Sequence, residues 1–269
     1  MKLQLLTLLI LLTVSSYAQD DYPELITDRP DQTESSATVP RHSLQVETGL
    51  LLENDANNLF TTSSFTYNTT LLRFGLFENF ELRAGMDYFR ESTTLNNTSL
   101  SSTISGISPL YTGFKVKIGE ENGWVPELAF LGGLVLPFTA NADRRPNYTA
   151  ANIRFSFSHT FSDRLSLGYN LGAEWDGDTP IPGYFYSVAL GIGVIDQLGA
   201  FVESYGLIPE AGPAEHLVDA GLTYLLLPTL QLDVSGGLGL SEAAIQNFIS
   251  LGLSWLIPSG KLAGQQYEE

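Results

Sequence analysis

The chain has 269 residues, 13 Lys plus Arg against 30 Asp plus Glu, and no cysteine. A net charge of −17 excludes a nucleic-acid binder, because phosphate contacts need clustered Lys and Arg. The missing cysteine excludes disulfides, thiolate metal sites, a cysteine nucleophile and a lipoprotein anchor, and no run of 18 apolar residues exists to make a spanning helix.

Residues 1–18 read as a cleavable signal peptide. Met1 and Lys2 start it, Leu3 to Val14 form its apolar run, and Ser16-Tyr17-Ala18 supplies the small-x-small site before Gln19. The mature protein is therefore expected to be exported. Residues 19–43 follow as an acidic N-terminal segment, with Asp28, Asp31 and Glu34 at three-residue spacing and Pro30 preventing a helix. Two readings are open for it. One is a periplasmic tail held by Asx-type turns; in the other, Asp28, Arg29, Asp31 and Glu34 belong to a plug in the barrel mouth whose carboxylates meet Arg83 or Arg154.

From Leu44 the sequence alternates with period two. Leu44, Val46, Leu50 and Leu52 share one face, with Gln45, Glu47 and Gly49 on the other. The same pattern runs through Phe80 to Tyr88, Leu165 to Trp175, Leu230 to Ser235 and Ile249 to Ile257. About twelve such stretches, mostly of roughly ten to thirteen residues, exceed the five or six usual in soluble strands and match what a tilted strand needs to cross a bilayer. Short connections near 77–79, 119–122, 162–163, 196 and 228 alternate with longer ones at 53–64, 91–103, 138–147, 176–183, 209–215 and 241–245. That asymmetry predicts a transmembrane antiparallel up-and-down β-barrel over 44–258, short turns periplasmic and long loops extracellular, ending in a tail at 259–269. Phe77, Phe80, Trp124 and Phe161 are expected at one membrane interface, and Tyr88, Phe138, Tyr148, Trp175 and Tyr184 at the other. A soluble secreted β-sandwich is the structural rival.

The stretch Thr27-Asp28-Arg29-Pro30-Asp31-Gln32-Thr33-Glu34-Ser35, with Val39-Pro40 and the first strand Leu44-Gln45-Val46-Glu47-Thr48-Gly49, resembles the start of an outer-membrane transporter family of Bacteroidetes-type bacteria. That family is grouped with the "MetA-pathway of phenol degradation" proteins. Leu165 to Gly172, Gly199 to Gly206 and Leu230 to Ser235 also resemble it. The resemblance implies a barrel that moves small solutes, aromatic ones among them.

If the apolar face meets lipid, the charges opposite it line the lumen. These are Glu47, Glu81, Arg83, Asp87, Lys115, Glu127, Arg154, Glu174, Glu203, Asp219 and Asp233, of which Glu47, Arg83, Arg154, Glu174, Glu203 and Asp233 are the residues expected to set selectivity. Twelve strands predict a narrow passage, where such charges either select solutes or pair into a closed, salt-bridged core. The three histidines fit no hydrolase arrangement, since His159 falls on the lipid-facing stripe at the periplasmic end and His216 lacks a partner motif. No catalytic residue, metal or cofactor is expected. The expected partners are outer-membrane lipid and small-molecule solutes, with the barrel a monomer because closure leaves no free edge.

Overall fold

The structure, a computed structural model, describes residues 23–259. The expected signal peptide and the tail beyond Ser259 lie outside them.

Thirteen strands form one antiparallel sheet that closes on itself: β1 Leu44–Ala56, β2 Phe60–Phe77, β3 Phe80–Leu95, β4 Ser101–Ile107, β5 Leu110–Gly119, β6 Glu127–Leu136, β7 Ala150–Ser162, β8 Leu165–Trp175, β9 Gly183–Ile195, β10 Leu198–Pro209, β11 Glu215–Leu227, β12 Leu230–Gly239 and β13 Asn247–Ile257. Closure comes from β1, which pairs with β13 from Leu44↔Ile257 to Asn54↔Asn247 and with β2 on its other edge. β2 then pairs with β3.

Around the wall there are twelve positions, because β4 and β5 share one. β5 pairs with the lower half of β3, Phe80↔Val116 to Gly85↔Tyr111, and β4 with the upper half, Tyr88↔Ile107 to Thr94↔Ser101. The break falls at Ser108-Pro109, where proline has no N–H to give the ladder. Above it, β4 has no strand on its far side among the described residues; Ile107 instead exchanges hydrogen bonds with Asn141, through the Asn141 side chain (2.8 Å) and backbone N–H (3.3 Å).

Two expected loops are strand. β2 runs for 18 residues and β3 for 16, so most of 53–64 and 91–103 belongs to the tall ends of two hairpins, β1–β2 turning at 57–59 and β3–β4 turning at 96–100. Ser, Thr and Asn alternate there without an apolar stripe, so periodicity gave no signal. Cross-strand hydroxyl pairs such as Thr62–Thr93 (3.1 Å) and Ser92–Thr103 (3.1 Å) accompany the backbone ladder.

The burial pattern is the reverse of a soluble protein's. Val202, Leu251 and Leu171 stand about half exposed on the outer face, whereas Glu47, Arg73, Glu81 and Lys115 are wholly buried inside. An apolar exterior around a charged interior is what a bilayer demands, and it rules out the β-sandwich. A band of outward-facing rings, Phe80, Phe114, Phe130, Phe155, Phe157 and Tyr169, runs from β3 to β8 with neighbouring centroids 4.9 to 6.5 Å apart. Among the described residues no helix is long and apolar enough to cross a membrane; the strands do so.

Candidate functional site in the barrel lumen

Residues 26–39 run inside the barrel, and successive residues bond to successive strands. Gln231 of β12 donates to Thr27 Oγ1 at 3.0 Å, and the Gln32 N–H donates to Glu203 of β10 at 2.8 Å. Thr33 bonds Ser187 of β9 at 2.7 Å, the Glu34 N–H bonds Asn170 of β8 at 2.7 Å, and the Val39 N–H bonds Glu81 of β3 at 2.7 Å. A segment without secondary structure needs such partners for its buried backbone groups. The inward polar residues of the strands supply them.

One side of this inner segment is held by charge. Asp28 Oδ2 lies 2.7 Å from Arg83 Nη1 and 3.1 Å from Arg73 Nη1, and its Oδ1 lies 2.9 Å from Lys115 Nζ. Arg73 also reaches Glu47 (2.8 Å) and Glu81 (2.9 Å), and Arg83 reaches Glu34 (2.7 Å). Four carboxylates thus face three cations in a largely buried cluster bonded around β1, β2, β3 and β5. Burial alone would push the Asp28 carboxyl up; Arg73, Lys115 and Arg83 outweigh it and hold the group well below the usual carboxylate range.

A second contact is Arg29. Its guanidinium bonds Asp233 (3.0 Å), Ser250 (3.0 Å) and Thr69 (2.7 Å). It does so lying against Gly49 and Gly252, neighbours across β1 and β13, where a Cβ atom would come within 2.6 and 2.2 Å of Arg29 Nη2. Two side chains are missing from the wall at the point where the guanidinium must approach it.

The remaining side is different. Glu203 and Asp219 sit directly opposite each other on β10 and β11. Neither has an ion pair among the described residues, and both buried Asp219 oxygens are without a hydrogen-bond partner. Asp31 of the inner segment faces them. Burial, then the Glu203 charge, pushes its carboxyl well above the ordinary range.

Toward the extracellular side, Arg154 bonds Glu174 at 2.5 Å, stacks 3.7 Å from the centroid of the Phe185 ring and donates to the Gln32 carbonyl at 3.4 Å. Of the six residues expected to set selectivity, the structure therefore puts Glu47 and Arg83 in the ionic cluster, Asp233 on Arg29, Glu203 on Gln32 and Thr33, and Arg154 with Glu174 above the inner segment. Asp28 and Glu34 meet Arg83, while Arg154 meets backbone.

Sequence reading missed Arg73, the most heavily paired cation of the cluster. Its signal was present, since Leu72-Arg73-Phe74 alternates outward, inward, outward as strictly as the strands that were recognised. The histidines lie outside the lumen: Tyr186 bonds His216 (2.8 Å), and His159 faces Glu121 (3.7 Å) and the rings of Phe161 and Tyr169. No group of three His, Cys, Asp or Glu that could hold a metal occurs among the described residues.

Cavities lie in series along the axis. An outer one of about 770 Å³ is lined by Pro109, Arg144, Arg145, Glu174, Trp175 and Leu207 among others. A middle one of about 370 Å³ lies over the inner segment, lined by Asp28, Arg29, Asp31, Asp87, Tyr111 and Arg154. On the side of the short turns, one of about 440 Å³ opens between Leu25 to Asp31 and the β8–β11 wall.

Residues 27–257 match the family described as "Putative MetA-pathway of phenol degradation". The chain belongs to this family. Its match covers the inner segment as well as the whole barrel. Among solved structures, an outer membrane channel from Pseudomonas putida F1 superposes with a TM-score of 0.64 at 13% identity, covering 86% of this chain and 100% of that one. The transport unit of the autotransporter AIDA-I from Escherichia coli gives 0.53 at 8% identity, over 91% and 96% of the two chains. The translocator domain of the autotransporter NalP from Neisseria meningitidis gives 0.52 at 12%, over 79% and 88%. No curated protein matches the chain by sequence. At these identities the likeness is one of fold, that of the outer-membrane β-barrel.

Proposed function

We propose that the protein is an outer-membrane channel that passes small solutes, aromatic and other hydrophobic ones included, through a narrow lumen whose charged residues select among them, with residues 23–43 as its plug. The observation that carries this reading is the series of cavities on both sides of a thin inner segment, two of which share the lining residues Arg29 and Asp31. A barrel built only as a scaffold would fill that volume with side chains. Membership of the family supports the reading, as does the fold shared with a Pseudomonas channel.

The selectivity expected follows from the charges left over. Asp28, Glu34, Glu47 and Glu81 share Arg73, Arg83 and Lys115, one carboxylate in excess, and Arg29 and Arg154 have their own carboxylates. What remains in the middle cavity is Asp87, beside an Asp31 carboxyl whose ionisation burial disfavours, so cations and neutral solutes should be preferred to anions. No catalytic role is assigned to any of these groups.

The test is conductance of the refolded mature protein in a planar bilayer, with cation-to-anion selectivity measured beside Asp87→Asn. Discrete cation-preferring conductance that loses preference in the variant supports the reading. Inserted protein that passes neither ions nor small solutes into liposomes sinks it.

A further inference from the structure

Resting on the channel reading, the geometry points to a one-sided route: we infer that solutes pass the inner segment only through the glycine-walled groove between residues 24–31 and the β8–β11 wall, beside Asp31, and that this groove admits small solutes without negative charge.

The two sides of the segment differ in what fills them. Toward β1, β2, β3 and β5 the space is taken by the side chains of Arg73, Arg83, Lys115, Glu47 and Glu81, all buried and cross-bonded. Opening that side would strip partners from charges already out of water, which is costly. Toward β8–β11 the space is open, and a cavity of about 440 Å³ lies between the segment and the wall. Gly191, Gly193 and Gly199 line the groove, and a Cβ on Gly193 would meet nothing nearer than 3.4 Å. Two of these glycines stand on β9 and one on β10, and beside them the wall carries the small hydroxyl side chains of Ser166 and Thr223, whose oxygens lie 2.6 Å from where a Cβ on Gly191 or Gly199 would stand.

The groove also joins what it must join. It opens between the short turns, where Asp163, Arg164 and Gln197 line its mouth, and it ends at Arg29 and Asp31, which border the middle cavity too. Those two residues are not equivalent. Arg29 is pinned by Asp233, Ser250 and Thr69, whereas Asp31 has no ion pair among the described residues. The movable group at the junction is therefore Asp31, with the Glu203 and Asp219 carboxyls close by. Of the three carboxyls only Asp31 lines the groove, and an anion would meet it there. A neutral or cationic solute would meet hydrogen-bond acceptors set among Leu25, Pro30 and Phe201.

Because the chain has no cysteine, the route can be mapped one thiol at a time. Gly193→Cys, with Gln197→Cys at the mouth as the variant that disturbs no packing, is compared with Thr38→Cys. Thr38 lies on the opposite side of the segment, where its hydroxyl bonds the Glu78 carbonyl at 3.2 Å. Each full-length variant is reconstituted, treated with a bulky methanethiosulfonate reagent, and assayed by liposome swelling in arabinose and in gluconate, with labelling confirmed by mass. Modification at 193 or 197 should bring arabinose entry down toward the protein-free background, and modification at 38 should leave it unchanged. Wild type should admit gluconate more slowly than arabinose, and Asp31→Asn should narrow that difference. Full arabinose entry through labelled Gly193→Cys and Gln197→Cys, or equal block at Thr38→Cys, overturns the route while leaving a channel. Wild-type protein that admits no arabinose overturns the channel reading and the route together.

Discussion

Arg29 and Asp233, 204 residues apart in the chain, meet in a two-point contact, Nη2 to Oδ1 at 3.0 Å and Nε to Oδ2 at 3.3 Å. The pair fastens the inner segment to the last strands of the barrel, and it exists because Gly49 and Gly252 let the guanidinium lie against the wall. A side-by-side carboxylate–guanidinium contact fixes orientation as well as distance.

That contact should be separable from the barrel. In Gly252→Ala the three atoms nearest the new Cβ all belong to the Arg29 side chain, so the guanidinium should be displaced while the β1–β13 ladder stays intact. Gly252→Ala, Arg29→Ala and Asp233→Ala should each raise conductance noise and expose the segment to added protease. The double variant Arg29→Ala with Asp233→Ala should be no worse than either single one.

Arg73 is the residue whose loss should hurt most. Arg73→Met leaves Asp28, Glu47 and Glu81 with one fewer cation in a dry site. Removing one member of a buried ionic group typically costs about 3–5 kcal/mol. The expected result is a clear fall in the urea midpoint of the refolded barrel, and an unchanged midpoint would show the cluster to be hydrated and dispensable.

Asp31 sets a pH dependence whose sign is fixed. Its carboxyl holds its proton more tightly in the folded chain than in the unfolded one, where it titrates near about 3.9. Ionisation therefore costs stability as pH rises from that value through the folded one, and the full cost is present above both. Asp31→Asn should raise the temperature of heat-modified gel migration at neutral and alkaline pH and do nothing in acid. Asp28 works in the opposite direction. Held low by its three cations, it should keep its contribution down through mild acid and lose it only as pH falls through its depressed value.

The outer face gives a test of the membrane itself. Leu251 stands midway along β13, about half exposed, between the inward Ser250 and Gly252. Leu251→Arg should reduce folding into bilayers by about 2–4 kcal/mol if the site is near the midplane. Folding yield in bilayers, compared with detergent, reads that difference. Equal loss in both would mean a packing defect and not a lipid-facing position.

The sequence by itself determined the barrel. Alternation such as Leu230-Gln231-Leu232-Asp233-Val234 assigns every side chain to lipid or lumen because strand periodicity is two, and a bilayer leaves no other place for an outward stripe of that length. Membership of the lumen was legible for the same reason, Arg73 included, since Leu72 and Phe74 flank it on the outward face. Where polar residues alternate with polar residues, as at Thr61 to Ser64 and Ser92 to Thr94, the rule has no contrast to work on, and the tall ends of the β1–β2 and β3–β4 hairpins were invisible. Which charges meet was decided only by the tertiary structure. Whether Asp28 finds Arg83, Arg154 or solvent depends on how strands far apart in the chain are brought around one axis, and on which glycines leave room for Arg29. Coulomb attraction falls with distances that no spacing along the chain encodes. The acidic segment therefore carries the same residues in either reading, and only the closed barrel shows one flank bound to cations and the other facing an open groove.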